Sequence, residues 1–105
     1  MQNSDTNSSV RVLAFLKSKE GKRQELLDLL LPHVEPSRKE EGNISYVLSS
    51  SIENPNEFLF DEVWSNKQTS DKHYNKPDSY RIRQEVTDLL AEPLGIKTYV
   101  EIKEN

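Results

Sequence analysis

Cysteine is absent from this sequence of 105 residues, which also contains only three glycines and a single tryptophan. Without cysteine the chain can form no disulfide and no thiolate metal site, and it has no cysteine nucleophile. The three scattered glycines provide no glycine-rich phosphate loop, and the two histidines show no metal-ligand spacing. We therefore expect no metal ion and no phosphate-loop ligand.

An excess of basic residues is also missing, because 14 Lys and Arg oppose 18 Asp and Glu for a formal net charge of -4. This balance argues against a nucleic-acid partner, which requires a basic face. No apolar run approaches the roughly 18 residues of a membrane span, and the polar residues 1–9 carry no secretory signal. We expect a cytoplasmic protein without a membrane partner, in which residues 1–9 form a disordered tail.

Hydrophobic residues are scarce as well, at 33% of the chain, whereas 30% of the residues are charged. A chain of this length buries only about two-thirds of its unfolded surface, so its core is small. We predict a single domain over residues 10–103 and expect that self-association adds to the buried surface.

The spacing of the apolar residues predicts the element order β-α-β-β-α-α-β. Strands are expected at residues 10–17, 44–51, 57–65 and 94–103. Helices are expected at residues 22–40, 66–75 and 79–91. Pro32 and Pro36 predict a kink or break in the first helix, and Gly42 a left-handed cap at its end. The order is that of the ferredoxin-like split βαβ, an α+β fold with helices on one face of an antiparallel four-stranded sheet.

Alternation along the strands assigns their side chains to two faces. In the second strand, Ile44 is expected on the same face as Tyr46 and Leu48. In the third strand, Leu59 and Val63 are expected on the face opposite the helices. An apolar face without helices favours burial against a second copy, so we predict a homodimer.

Four side chains are candidates for chemistry: Arg38, Glu62, Trp64 and His73. His73 is either a surface histidine or a general base, since imidazole has a pKa near 6.5. Glu62 is either ion-paired with a cation such as Arg38, or it orients a histidine or a substrate hydroxyl. Near His73 it would raise the histidine pKa, whereas burial against Trp64 would lower it, and we expect the carboxylate to outweigh burial if it touches the ring. Trp64 is either a core aromatic or a pocket wall that stacks a flat ligand. We expect the other histidine, His33, to be exposed.

Three segments together resemble the antibiotic biosynthesis monooxygenase domain. Residues 34–46, VEPSRKEEGNISY, are similar to the family signature EP-[S/T]-R-x-E-x-G-x-x-x-Y. Residues 58–64, FLFDEVW, resemble its F-x-x-x-E-x-W strand, and His73 and Pro77 resemble its following helix histidine and proline. The first strand lacks the asparagine of the haem-degrading branch, so the resemblance does not extend to haem.

The resemblance implies a dimeric α+β barrel, in which two sheets pack face to face and each subunit keeps a pocket between its sheet and its helices. It also implies a cofactor-independent monooxygenase that acts with O2 on a small electron-rich aromatic compound, such as a quinol or an anthrone. The alternative is a non-catalytic ligand-binding or structural dimer, or an isomerase-type relative of the same fold.

Under the monooxygenase interpretation, His73 is the base, Glu62 is its orienting partner or a substrate contact, and Trp64 is the stacking wall. The predicted substrate-binding residues are Arg38, Tyr46, Phe60 and Tyr80. Of these, Tyr46 and Arg38 are expected to stabilise the substrate phenolate.

Overall fold

The computed structural model describes residues 8–104, and its elements follow the order expected from the sequence. The strands are β1 Val10–Lys17, β2 Asn43–Ser50, β3 Glu57–Trp64 and β4 Gly95–Val100. The helices are α1 Arg23–Leu30, α2 Val34–Arg38, α3 Lys67–Tyr74 and α4 Pro77–Val86, with 3₁₀ turns at Leu31–His33 and Thr87–Leu89. Most of the predicted disordered tail lies outside the described residues. Within residues 8–104, no helix is long and apolar enough to cross a membrane.

The four strands form one antiparallel sheet in the order β2-β3-β1-β4. This arrangement confirms the predicted ferredoxin-like split βαβ. The helices pack on one side of the sheet, which we call the helix-side face. There, alternate residues of β1 and β3, such as Val12 and Phe60, join Leu26, Leu30 and Val86 of the helices in the core. The strand residues that alternate with these, such as Leu59 and Val63, form the opposite surface of the sheet, which we call the open face.

Pro32 explains why the predicted helix over residues 22–40 is broken. Helix α1 ends at Leu30, a 3₁₀ turn contains Pro32, and α2 begins at Val34. Proline has no backbone N–H to donate and its ring clashes with the preceding helical turn, so α1 cannot continue through it. Pro36 lies in the first turn of α2, where its missing donor costs little.

Gly42 connects α2 to the sheet in a conformation that favours glycine, with a φ of 85°. A Cβ atom on Gly42 would lie 2.5 Å from the Thr69 side chain, so glycine also permits a close approach to α3. Helix α3 is capped at its N-terminus by Asn66, whose side chain accepts from the Thr69 backbone N–H at 2.9 Å. These contacts place the end of the α2 segment against the start of α3.

The prediction that Ile44 shares a face with Tyr46 is wrong. The β2–β3 register shifts between Asn43 and Ser45, so Ile44 is the additional residue of a β-bulge. Its side chain is 62% exposed, whereas Tyr46 is buried on the helix-side face.

The open face is apolar but incompletely covered within this chain. Leu59 and Val63 are half-buried, and Phe15, Val47 and Tyr99 are exposed. Near the middle of this surface, Arg11 Nε forms an ion pair with Asp61 Oδ1 at 2.8 Å. The sequence correctly predicted the position of Leu59 and Val63.

Candidate functional site

A cavity of about 80 Å³ lies between the helix-side face of the sheet and the helices. Its buried lining residues include Tyr46, Phe60, Glu62 and His73. Its mouth is lined by the more exposed Pro36, Lys76, Asp78 and Ile96. A dry cavity that takes up benzene measures about 150 Å³, so an aromatic ligand has to widen this one or project through its mouth.

Strand β3 brings Phe60 and Glu62 to the cavity because the two residues share its helix-side face. Trp64 lies on the same face but is 0% exposed and does not line the cavity. Its ring packs against that of His73, with centroids 4.9 Å apart and planes inclined by 35°. The prediction that Trp64 is a stacking wall for a ligand is therefore wrong, and its alternative, a core aromatic, is correct.

The carboxyl group of Glu62 is 1% exposed and is held by two uncharged donors. The indole N–H of Trp64 donates to Oε1 at 3.0 Å, and the hydroxyl of Tyr74 donates to Oε2 at 2.6 Å. No Lys or Arg among the described residues forms an ion pair with Glu62, so the predicted pairing with Arg38 is wrong. Burial raises the pKa of Glu62 to about 7, although both hydrogen bonds oppose the shift.

His73 pairs with a carboxylate that the sequence did not single out. Its Nδ1 lies 3.0 and 3.1 Å from the two carboxylate oxygens of Glu40, which also accepts from Lys76 Nζ at 3.2 Å. Because an ionised carboxylate only accepts, this pairing places the proton of the neutral ring on Nδ1. Nε2, which has no hydrogen-bond partner among the described residues, then carries the lone pair of a base.

The prediction that Glu62 raises the His73 pKa is wrong, whereas the predicted lowering by burial is confirmed. Burial is the largest influence and lowers the pKa of His73 below 6.5, although the contact with Glu40 acts in the opposite direction. The nearby charges of Lys76 and Arg83 lower it further. His73 is therefore neutral at pH 7.

Tyr46 lies beside His73 in the cavity wall, with ring centroids 5.6 Å apart. It also contacts Phe60, at a centroid distance of 5.3 Å. Burial, together with the charge of Glu62, raises the pKa of Tyr46. Its hydroxyl therefore stays protonated at neutral pH and can donate a hydrogen bond.

Arg38 and Tyr80 do not line the cavity, so their predicted contacts with a ligand there are wrong. Arg38 Nε donates to the backbone oxygen of Tyr46 at 3.0 Å, and its Nη1 donates to Glu35 at 2.6 Å. It thereby fastens α2 to β2. Tyr80 is 60% exposed because it lies outside the inward stripe of α4, which consists of Ser79, Ile82, Arg83 and Val86.

Arg83 is the most unusual residue that the sequence interpretation missed. Its Nη2 donates to the backbone oxygen of Tyr74 at 2.9 Å, and its Cζ lies 5.6 Å from the centre of the Tyr74 ring. Its Nη1 is buried without a hydrogen-bond partner among the described residues. Arg83 lines the cavity, and so does His33, whose predicted exposure is wrong because it is half-buried.

The available sequence signals for the missed residues are weak. Glu40 belongs to the signature segment, but nothing in that pattern says that it reaches α3. Arg83 lies one residue from Ile82 on the apolar stripe of α4, where an arginine is easily assigned to solvent. Within residues 8–104, no three His, Asp or Glu side chains are grouped so as to hold a metal ion.

Comparison with known proteins agrees with this architecture. A family model described as "Antibiotic biosynthesis monooxygenase" matches residues 9–85. The uncharacterized protein sll1783 of Synechocystis sp. is 39% identical over 88 residues, which are 84% of this chain but only 60% of that protein. This chain therefore spans less than two-thirds of the length of that relative.

Two solved structures have the same fold over almost their whole length. Rv0793 from Mycobacterium tuberculosis superposes with a TM-score of 0.85 at 28% identity, covering 92% of this chain and 98% of that one. A conserved protein from Methanosarcina mazei Go1 gives a TM-score of 0.86 at 26% identity, covering 94% and 98% of the two chains.

Proposed function

This chain belongs to the antibiotic biosynthesis monooxygenase family, and on that premise we propose that it is a cofactor-independent monooxygenase. The substrate is a small, electron-rich aromatic compound of the hydroquinone type, and the second substrate is O2. The observation that carries the proposal is a neutral, oriented histidine in the wall of a cavity that also contains apolar side chains. The small volume of that cavity favours a single ring over a polycyclic anthrone.

In this mechanism His73 removes the phenolic proton of the substrate. Glu40 holds Nδ1, which leaves the Nε2 lone pair to act as the base. Burial keeps the ring neutral at pH 7, so the base is available without a prior loss of a proton. Glu40 lines the cavity, but in this scheme it acts on the reaction through His73, as a positioning residue.

The reaction that follows deprotonation balances without a cofactor. The phenolate passes one electron to O2, and the two radicals combine to form a carbon–oxygen bond. Loss of the ring proton and cleavage of the O–O bond then release water, so that hydroquinone and O2 yield hydroxyquinone and H2O. The substrate supplies all four electrons. The Tyr46 hydroxyl donates to the developing negative charge, and the Glu62 carboxyl contacts a substrate hydroxyl.

Trp64 and Tyr74 serve this mechanism indirectly. Their hydrogen bonds hold both carboxyl oxygens of Glu62 in place. Glu62 has no charged partner among the described residues, so these neutral donors alone orient it. Phe60 lines the cavity wall beside Tyr46 and supplies apolar contact for the ring.

We also propose that the protein is a homodimer in which a second copy covers the open face. The apolar residues Leu59, Val63, Phe15, Val47 and Tyr99 give this surface the composition of an interface core. A stable protein–protein interface of standard size buries about 1,600 Å² of accessible surface in total, which is more than a few isolated contacts between two surfaces bury. The Arg11–Asp61 pair is already formed within one chain, so it can enter the interface without leaving an unpaired charge.

The test is oxygen consumption with a panel of one-ring hydroquinones in chelator-treated buffer, corrected for uncatalysed autoxidation. His73→Gln should lower turnover by about 10²- to 10⁴-fold, the usual range for loss of a general base. Lys72→Gln is the matched control, because it places glutamine at the adjacent, exposed position of α3.

An unchanged turnover in His73→Gln would contradict the assigned base. Saturable hydroquinone binding by the wild-type protein without any oxygen consumption would instead favour the non-catalytic ligand-binding alternative.

A further inference from the structure

We propose that Arg83 binds an ionised carboxylate of the ligand, so that the compound taken up by the cavity is an aromatic acid. The inference deepens the proposed function, on which it rests for the reaction at the ring, but its binding claim concerns the cavity alone. It begins from the buried Nη1 of Arg83, a charged donor without a partner among the described residues. Buried donors are almost always paired, so the unpaired Nη1 of a residue that lines the cavity points to a group that arrives with the ligand.

The remaining bonds of Arg83 hold its guanidinium in place. Nη2 donates to the Tyr74 backbone oxygen, and Cζ lies over the Tyr74 ring. A guanidinium fixed in this way loses little side-chain freedom when it binds a carboxylate, and its planar donors match that group in geometry.

The charges around the cavity favour a group with a single negative charge. Lys76 is already paired with Glu40 at 3.2 Å, and Asp78 with Arg81 at 3.3 Å. Arg83 forms no ion pair with a described carboxylate, so its positive charge is the one left for a ligand. A carboxylate neutralises one such charge, whereas a phosphate would need a second.

Arg83 and His73 can act on opposite ends of one small molecule. Both line the cavity, and both flank Tyr74: the His73 ring centre lies 4.9 Å from the Tyr74 ring centre and the Arg83 Cζ 5.6 Å from it. In our proposal, a carboxylate bound at Arg83 leaves the rest of a single ring within the cavity that His73 also lines. Arg83 would then select the substrate, while His73 removes its proton.

Benzoate and benzamide test this inference, because they have nearly the same shape, differ in charge and cannot undergo the proposed oxidation. Isothermal titration calorimetry of the full chain should give at least tenfold tighter binding of benzoate. In Arg83→Gln this preference should disappear, and in Arg83→Lys part of it should remain. Lys72→Gln is the control, since it removes an exposed positive charge that lies outside the cavity lining, and it should keep the full preference.

Equal affinities for the two probes, no saturable benzoate binding, or a benzoate preference that survives in Arg83→Gln would each overturn the inference. Circular dichroism confirms that the variants are folded, and Arg83→Lys supplies the comparison if Arg83→Gln is not. If hydroquinones cause no oxygen consumption but the benzoate preference depends on Arg83, the oxygenase proposal fails and this one stands. If oxygen consumption depends on His73 but benzoate is not preferred, the oxygenase proposal stands and the carboxylate proposal fails.

Discussion

The two faces of strand β3 differ in how completely this chain covers them. On the helix-side face, Phe60, Glu62 and Trp64 are buried beneath helices of the same chain. On the open face, Leu59 and Val63 alternate with them but remain half-buried. A single chain therefore completes the face that carries the cavity, whereas the open face is completed by a second copy in our proposal.

The polar groups on the two faces also differ in what holds them. Asp61, on the open face, has a full charge partner in Arg11. Glu62, its neighbour on the helix-side face, has only neutral donors, and its pKa rises to about 7. Alternation thus places two adjacent carboxyl groups of one strand in different surroundings, one beside a cation and the other beside neutral donors.

The largest expected effect is the loss of the dimer when a residue of the open face is changed. Val63→Asp should dissociate the dimer and lower stability by several kcal/mol, because a buried, unpaired carboxylate is costly. Light scattering at micromolar concentration measures the assembly directly. Gln84→Asp, on the exposed surface of α4, should leave it unchanged. A wild-type species of 12.2 kDa would contradict the proposed dimer.

The next effect is the pH dependence of the free energy of unfolding that results from the raised pKa of Glu62 on the helix-side face. Between pH 4.5 and about 7 the unfolded chain releases the Glu62 proton while the folded chain retains it. The contribution of Glu62 to the free energy of unfolding is therefore fully present below pH 4.5 and is lost as the pH rises to about 7. The loss amounts to about 3 kcal/mol at most.

Glu62→Gln removes this loss, so its unfolding free energy should rise relative to wild type over that pH range. Urea denaturation at a series of pH values measures the difference, with Glu20→Gln at an exposed position as the control. Parallel curves for Glu62→Gln and wild type would show that the Glu62 pKa is not raised.

A smaller effect is expected from the donors to Glu62. Tyr74→Phe removes the hydroxyl that donates at 2.6 Å and should cost about 1–3 kcal/mol, because a buried acceptor loses its partner. Tyr80→Phe is the matched change at an exposed position of the next helix and should fall within about 0.5 kcal/mol of wild type. Thermal unfolding of both variants tests the comparison, and equal losses would contradict the assigned role of Tyr74.

Sequence periodicity predicted the faces of β3 but not the depth of each side chain. One face carries Phe60, Glu62 and Trp64, as expected, but only the first two line the cavity. Trp64 is instead covered by His73 of α3, and the sequence does not show this packing. The same limit affects α4, where Tyr80 and Ser79 are neighbours in sequence but only Ser79 faces inward. A bulge at Ile44, which no residue type signals strongly, changes the start of β2.

Contacts between distant segments were beyond the sequence interpretation. The carboxylate beside His73 was expected to be Glu62, because the two belong to neighbouring elements of the chain. Gly42 instead allows the α2 segment to approach α3 closely, and this brings Glu40 to Nδ1. Desolvation then outweighs the attraction of that carboxylate, so the direction of the His73 pKa shift depends on burial that one sequence does not display.

The measurement that tests the central claim most directly is a ¹⁵N NMR titration of the histidine side chains. The chain contains only two histidines, and His33→Gln assigns their signals. Our account predicts that His73 has a pKa below 6.5 and, when neutral, carries its proton on Nδ1. A pKa above 6.5, or a proton on Nε2 in the neutral ring, would contradict the assignment of His73 as the base.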